Sequence, residues 1–440
     1  MRKLDKLKEW RRTHYSVEIT PKLDGKRVTV FGWLASKREQ GGITFWILHD
    51  KEGIVQITMH KGKTSNSILK KAENIREHSS IGVKGVVKSI DKAPHGAEII
   101  PEELRILSSA RRQPPFSLFG GEIASIDKRL DIRVVDLRRP KAQAIFKIRH
   151  TALTSVRDFF IKEGYIEVNT PKIIATATEG GAALFPLLYY NKEAFLAQSP
   201  QLYKEQLIIP FEKVFEIGPI FRAEESRTLR HLSEVISIDV EEAFVSYEDA
   251  MKLIEQIICY TVNKVHKNCG SEIELLGHKL IVPKLPFKHI TYDDVLKILE
   301  KEGMILDRGD DLSTQTLKIL GEIISEFYFI TDWPTFMKPF YIKPKDRKQD
   351  ISESFDFMHG SIELASGGSR ISSKRILIKR LKEQGLEPKL FEYHLRIFDY
   401  GMPPHAGFGL GLERLIMVLT GQENIREVTL FPRDRSRLTP

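Results

Sequence analysis

Apolar positions recur at two different periods along this chain, and the change of period divides it. Between Ser16 and about Ser109 the runs are short and alternate. Arg27-Val28-Thr29-Val30-Phe31-Gly32-Trp33-Leu34 reads as a half-buried strand, and Ile43–Leu48 follows the turn pair Gly41-Gly42. Lys51-Glu52-Gly53 then turns the chain into Ile54–Met59, and Ile81–Val87 and Ala97–Ile100 come after a helical stretch from Ser67 to Arg76. Period two puts alternate side chains on a core and in water. Five such strands with a helix between the third and fourth predict a small Greek-key barrel of OB type. In the arm before them, Met1–Arg12, Leu4, Leu7 and Trp10 recur at helical spacing and predict a short packed helix.

Residues 111–140 read as a linker, with Pro114-Pro115, Gly120-Gly121 and the basic close Leu137-Arg138-Arg139-Pro140. The period then becomes helical. From Ala142 to Glu163, Ile145, Phe146, Ile148, Ala152, Val156 and Phe159-Phe160 mark one apolar face. The remaining residues to 440 alternate strand-like and helix-like segments without a regular βαβ rhythm, which predicts an antiparallel sheet flanked by helices. The whole is therefore expected to be a multidomain α+β chain: a domain over 1–110, a linker over 111–140, and a larger domain over 141–440 with an insertion at roughly 245–350.

Composition narrows the class. A chain of 440 residues, 41% hydrophobic and 29% charged, has room for two or three domains. No run approaches the ~18 apolar residues of a membrane span, and Met1–Lys6 lacks the apolar core of a secretory signal. Cys259 and Cys269 stand ten apart with no CxxC or Cys/His spacing, so neither a disulfide framework nor a thiolate zinc site is expected, and a reducing cytoplasm fits. Lys plus Arg is 68 against 59 for Asp plus Glu, an excess of nine positive charges. That excess suits a phosphate-rich partner without deciding on one.

Two segments carry chemistry. In Val214–Glu224, period two aligns Glu216, Gly218, Ile220, Arg222 and Glu224 on one face; a polar loop, Glu225–His231, follows, and the chain returns as Ile236–Glu241. This predicts a long hairpin with a cationic tip, and guanidinium forks match phosphate oxygens. The second segment, Pro403–Leu415, holds alternate glycines at 407, 409 and 411 and opens a helix at about Leu412. Its third glycine falls at the wrong offset for a dinucleotide fingerprint. Arg414, in the first turn of that helix, suits stacking on a purine.

Together, F-R-x-E with its basic loop and G-x-G-x-G-x-E-R near the end resemble motifs 2 and 3 of class II aminoacyl-tRNA synthetases. The long helix running into Tyr165–Pro171 resembles motif 1, which in that class builds a homodimer interface. The OB-like N-terminal domain points to the subgroup charging Asp, Asn and Lys. The finer pattern resembles aspartyl-tRNA synthetases of the archaeal type, through Thr176–Gly181, Gln198–Lys204, Ser352–Asp356, Gly367–Arg370 and the closing Phe431–Asp434 and Arg437–Pro440.

That resemblance implies ATP-dependent formation of aspartyl-adenylate and transfer of the aspartyl group to tRNA. It implies Lys204 and Arg370 as cations for the side-chain carboxylate of L-aspartate, and Glu179 with Gln201 at its ammonium group. Arg222 would bridge the carboxylate and α-phosphate, with Glu224 reading adenine. Arg230 and His231 would lie near the outer phosphates, Gly411 at the ATP backbone, and Arg414 on the γ-phosphate and adenine. Glu363 and Ser366 would bind Mg²⁺. In the barrel, Phe45 would stack on the middle anticodon base, with Gln56 and Glu98 bonding bases. Ala35 and Pro94 replace the bulky aromatic and lysine that restrict the last anticodon base in discriminating relatives. Both tRNA(Asp) and tRNA(Asn) are therefore expected as substrates, the second feeding an amidotransferase. Three positions depart from the pattern: Val235 where an aromatic commonly stacks on adenine, Ser369 for a commoner Gln, and His49 for a frequent Arg. Rival readings are a discriminating aspartyl enzyme, an asparaginyl-tRNA synthetase and a catalytically silent tRNA-binding paralogue.

Overall fold

Alternation in the N-terminal part becomes five strands: β1 (Arg27–Gln40), β2 (Ile43–His49), β3 (Ile54–His60), β4 (Ser80–Ser89) and β5 (Ala97–Ser108), with a helix at Asn66–Glu73 between the third and fourth. This computed structural model describes residues 4–120, 122–176, 184–223, 228–345 and 350–440. Strand order is β1-β2-β3-β5-β4, and β4 pairs back onto β1, so the ladder returns to its first strand. Val30, Trp46, Leu48, Val55, Ile57 and Val83 fill its inside.

The expected N-terminal helix is absent; residues 4–15 are irregular. Arg105 explains the difference, because its Nη1 donates to the carbonyls of Lys6 and Leu7, which a helix would need for itself. Trp10 is fully buried, with Arg105 and Lys84 4.1 and 4.6 Å from its ring centroid. Cation and ring attraction, not helical packing, ties the arm down.

The chain divides into two units, Met1–Ser125 and Ile126–Pro440. Two short helices, Ile126–Asp131 and Arg133–Asp136, fall inside the stretch read as linker and belong to the second unit. Arg133 there donates to the carbonyls of Arg426, Glu427, Thr429 and Leu430 and pairs with Asp136, so these helices hold the segment near the chain end. The long helix runs Pro140–Lys162, with proline at a position where its missing N–H costs nothing. It buries Ile145, Ile148, Ala152, Val156 and Phe160 against the helix Tyr247–Asn268 and the main sheet. Truncating Ile148 to Ala would cost about 2–5 kcal/mol.

Eleven strands follow: β6 (Ile166–Glu167), β7 (Ile173–Ile174), β8 (Pro186–Tyr189), β9 (Lys192–Leu196), β10 (Lys213–Phe221), β11 (Glu234–Ala243), β12 (Lys288–Thr291), β13 (Phe327–Thr331), β14 (Ser354–His359), β15 (Ile362–Ser369) and β16 (His405–Gly411). Eight form one sheet in the order β12-β13-β14-β15-β16-β11-β10-β6, while β7, β9 and β8 make a small separate one. Pairing is antiparallel except at the two edges, β12–β13 and β10–β6. Residues 245–350, read as an insertion, thus supply β12 and β13 to this same sheet.

One face of the sheet is apolar and carries the long helix together with the helices Tyr247–Asn268 and Leu412–Thr420, through Phe215, Ile238, Val240, Phe357, Ala365, Phe408 and Leu410. The other carries the chemistry. A bulge decides what reaches it on β15: Phe357 pairs with Ala365 but Met358 pairs with Glu363, leaving Leu364 surplus. Three residues apart on a regular strand, Glu363 and Ser366 would face opposite ways; the surplus residue brings them to the same side.

Candidate active site

On β11, the period of two turns Ser237, Asp239 and Glu241 to the polar face. Their cross-strand partners on β16 are Gly411, Gly409 and Gly407. A Cβ on Gly407 would lie 2.1 Å from Val240 O and 2.4 Å from Glu241 Oε2, so no other residue fits there. One on Gly411 would meet nothing nearer than 3.8 Å. The alternate glycines therefore divide their work: Gly407 makes room for a carboxylate of the protein, and Gly411 leaves backbone open to a cavity of about 310 Å³.

Two hydrogen-bonded groups line this cavity. In the first, Arg370 Nε and Nη2 donate to the two oxygens of Glu241 at 3.0 and 3.2 Å, and Lys204 Nζ donates to Asp239 Oδ1 at 3.0 Å and to the carbonyls of Val240 and Phe408 at 3.3 and 3.1 Å. Lys204 also lies 3.4 Å from Glu241 Oε2. All four side chains are buried. Burial works against the Arg370 charge, but Glu241 outweighs it and raises the pKa.

Lys204 thus has protein partners already in place: an ammonium has three donors, and Asp239 and the carbonyls of Val240 and Phe408 accept from it. It is also absent from the cavity lining, whereas Arg370, Asp239, Gln201 and Ser199 are part of it. Arg370 commits only one edge of its fork, and Nη1 has no partner among the described residues. Asp239 and Glu241 escaped the sequence reading because they stood there merely as strand residues. A serine and two acids at period two, Ser237, Asp239 and Glu241, beside three alternate glycines were the available signal. Ser369, flagged as a departure next to Arg370, accepts the Tyr247 N–H at 2.9 Å and so ties Arg370's strand to a helix start.

The second group runs through Thr228, His231, Arg414 and Glu363. Arg414 Nη1 donates to Glu363 O at 2.9 Å and Nη2 lies 3.2 Å from His231 Nε2. A guanidinium only donates, so Nε2 is the bare nitrogen and Nδ1 carries the hydrogen toward Thr228 Oγ1, 2.6 Å away. Arg230 donates to Ser361 O and Oγ at 2.7 and 2.8 Å, and burial together with the Arg414 charge lowers its pKa. Arg222, Val235 and Ser366 line the same space. Burial and the charge of Asp356 push the Glu363 carboxyl up. The opening of the Leu412–Thr420 helix is anchored by Glu413, which accepts from Arg149 at 2.8 Å and from the Ile236 N–H at 2.9 Å.

Glu179 and Glu224 lie outside the described residues. In the first unit, Phe45 points away from Trp46 and Leu48 and is half-buried, opposite Thr58. Gln56 Nε2 and Thr58 Oγ1 both donate to Glu98 Oε2, at 2.8 and 2.5 Å, so these expected residues share one face. Ala35 is the surplus residue of a bulge in β1 and lines a separate cavity with Ser36, Ile47 and residues 113–119. Pro94 opens a short turn, Pro94–Gly96. His49 is buried against Phe119.

A six-strand antiparallel centre with arginines from a strand end and from the first turn of a C-terminal helix around one cavity is the catalytic plan of class II aminoacyl-tRNA synthetases. Residues 125–435 match the family model for class II tRNA synthetases (D, K and N), and residues 28–107 match that for OB-fold nucleic acid binding domains. The chain belongs to this class II family, among the archaeal-type aspartyl-tRNA synthetases. It is 49% identical to the aspartate--tRNA(Asp/Asn) ligase of Archaeoglobus fulgidus over 97% of this chain and 99% of that protein. It is also 49% identical to the aspartate--tRNA(Asp) ligase of Pyrococcus abyssi, over 98% and 100%. Among solved structures, the asparaginyl-tRNA synthetase of Pyrococcus horikoshii complexed with asparaginyl-adenylate superposes with a TM-score of 0.94 at 35% identity, covering 98% of this chain and 100% of that one. The activity is ATP-dependent aminoacylation of tRNA through an aminoacyl-adenylate. No helix among the described residues is long and apolar enough to cross a membrane.

Proposed function

We propose that the amino acid activated is aspartate and that both tRNA(Asp) and tRNA(Asn) receive it. The observation that carries the choice of amino acid is the uncommitted Nη1 of Arg370 at a buried cavity wall. A carboxylate accepts from such a fork with full charge assistance, while a carboxamide offers one neutral oxygen and turns an N–H toward a cation. Glu241 and Lys204 hold that fork in place. The ammonium group would lie by Gln201 Oε1 and the carboxylate of Asp239, and Glu179 is proposed as a further partner for it.

ATP suits the second group. Arg222, Arg230, His231 and Arg414 would meet the phosphates, and the plane of Arg414, pinned at both ends, leaves a face for adenine while Val235 supplies an apolar opposite wall. Arg222 would draw the substrate carboxylate onto the α-phosphate, a step of placement and charge stabilisation. Glu363 and Ser366 fit Mg²⁺: both offer hard oxygens on one face, and the mutual repulsion of Glu363 and Asp356 is what a cation relieves. Among the described residues no cluster of three metal-ligating side chains exists, which suits an ion that keeps its waters and leans on phosphates. When bound, it would neutralise the departing pyrophosphate.

For tRNA, the half-buried Phe45 beside Gln56 and Glu98 suits an unstacked base. The small Ala35 and the rigid Pro94 support a relaxed last-base choice, and Asp-tRNA(Asn) would then pass to an amidotransferase. Exposed Ile161 and Ile166, at the end of the long helix and on β6, support a homodimer. Pyrophosphate exchange with aspartate and with asparagine, followed by charging of transcripts bearing each anticodon, tests the proposal. Exchange driven by asparagine alone would reject the choice of amino acid. A preference above about a hundredfold for the aspartate anticodon, about 2.7 kcal/mol, would reject the choice of both tRNAs.

A further inference from the structure

Behind the cavity wall lies a buried titratable cluster with no part in the chemistry above. Glu205 follows Gln201 by one helical turn, and its Oε1 accepts the Gln201 Nε2–H at 2.6 Å. Its Oε2 faces His394 Nε2 at 3.4 Å and His405 Nε2 at 3.6 Å, and all three side chains are at most 1% exposed. His405 Nδ1 lies 2.8 Å from Pro403 O. A carbonyl only accepts, so that nitrogen carries a hydrogen. A neutral ring would then aim the Nε2 lone pair at a carboxylate, and the contact becomes attractive only with one more proton, on Nε2 or on Glu205. Neither nitrogen of His394, nor Nε2 of His405, has a hydrogen-bond partner among the described residues. Buried polar atoms in that condition call for a reason.

A carboxylate is an acceptor only, and that settles Gln201. Its amide must present Nε2 to Glu205, which leaves Oε1 for the cavity, where an ammonium needs an acceptor. We infer that Glu205, sharing a proton with His405 beside the buried His394, is a positioning residue that fixes the amide of Gln201 and so couples amino-acid binding to pH. This rests on the proposed place of Gln201 at the substrate ammonium.

Burial opposes charge on both partners, yet the imidazoles outweigh it and lower the Glu205 pKa, and Glu205 outweighs it and raises that of His405. Two further charged groups face the cluster. Glu241 adds to the hold on His405, and Arg370, whose charge also feels Glu205, donates its backbone N–H to His405 O at 2.8 Å. Loss of the shared proton at alkaline pH sets a lone pair against the carboxylate, and the repulsion pushes Glu205 off the position from which it holds Gln201.

Aspartate-dependent pyrophosphate exchange by the full chain, from about pH 6 to 9, tests this with E205Q, E205D and Q201A, each checked by thermal melting. E205Q, whose amide lets Gln201 turn over, should raise the aspartate KM about tenfold, the order of one lost hydrogen bond to an ion. It should leave kcat and the ATP KM within about twofold and flatten the pH dependence of the aspartate KM. E205D keeps an acceptor-only group and should recover most of the loss. A wild-type aspartate KM and pH profile in E205Q overturn the inference, as does an equal loss in kcat and both KM values. Should E205Q fail to fold, H405Q carries the test, and an unmoved pH profile there overturns the inference too. A normal aspartate KM in Q201A would sink the role given to Gln201; an impaired Q201A beside an unimpaired E205Q would sink only the role given to Glu205.

Discussion

The two groups that line the cavity are built on opposite electrostatic plans. Around Arg370 every cation has a buried carboxylate of its own, Glu241 for the guanidinium and Asp239 for Lys204, and the geometry is complete before any ligand arrives. Around Arg414 the cations bond to carbonyls, a hydroxyl and an imidazole nitrogen, the Glu363 carboxylate stands off at 3.9 Å from Arg414, and two guanidiniums burden one another. The small zwitterionic substrate meets a balanced, rigid frame; the tetra-anionic one meets cations held mainly by neutral groups and loosely by Glu363. Selectivity asks for a fixed shape, whereas catalysis on phosphates asks for positive potential.

The contrast can be broken most forcefully at Glu241. Glu241→Gln leaves two buried cations sharing Asp239, and a loss of about 3–5 kcal/mol in a urea melt is expected. An unchanged midpoint would mean that the frame is not electrostatically closed. Arg414→Ala should do the reverse: a chain of near wild-type melting temperature whose exchange kcat falls about 10²–10³-fold, or about 2.7–4 kcal/mol. Ionic strength separates the groups more gently. Between about 0.05 and 0.5 M salt, the ATP KM should climb severalfold while the aspartate KM moves less than about twofold, because buried pairs are screened far less. Equal slopes would merge the two plans into one.

The smallest effect is on stability against pH. His405 is held above its ordinary 6.5, so its contribution is complete below about that pH and fades as pH rises through the raised value. Glu205 is held below its ordinary 4.5, so its contribution is present above that pH and fades as pH falls through the lowered value. Melting temperature should droop on both flanks, and E205Q should flatten each. A flank that E205Q leaves as steep as before belongs to other groups.

Much of this was legible in the chain because local rules suffice for it. Alternation located β1–β5 to within a few residues at most of their ends, and the apolar stripe located Pro140–Lys162. The glycines at 407, 409 and 411 announced close approach but not to what; only the register against β11 reveals that Glu241 needs the space at Gly407. The protein partners of Lys204 were not legible because Asp239 and the carbonyls of Val240 and Phe408 lie 35 to 204 positions away, and a lysine carries no mark of which groups its donors reach. The N-terminal arm failed for the same reason, its carbonyls being claimed by Arg105 from about a hundred residues on. Pattern speaks for neighbours; it is silent on a distant side chain that outbids them.

Leu364 contributes no group to the reaction, yet its presence as one residue too many is what keeps Glu363 beside Ser366. Were it drawn into the ladder as a paired residue, the hairpin would run unbroken and Glu363 would turn over to the oily underside of the sheet, with every amino acid in the site intact. Part of this enzyme's chemistry is thus written in how two strands pair, and a search for matching letters would pass a slip there unnoticed.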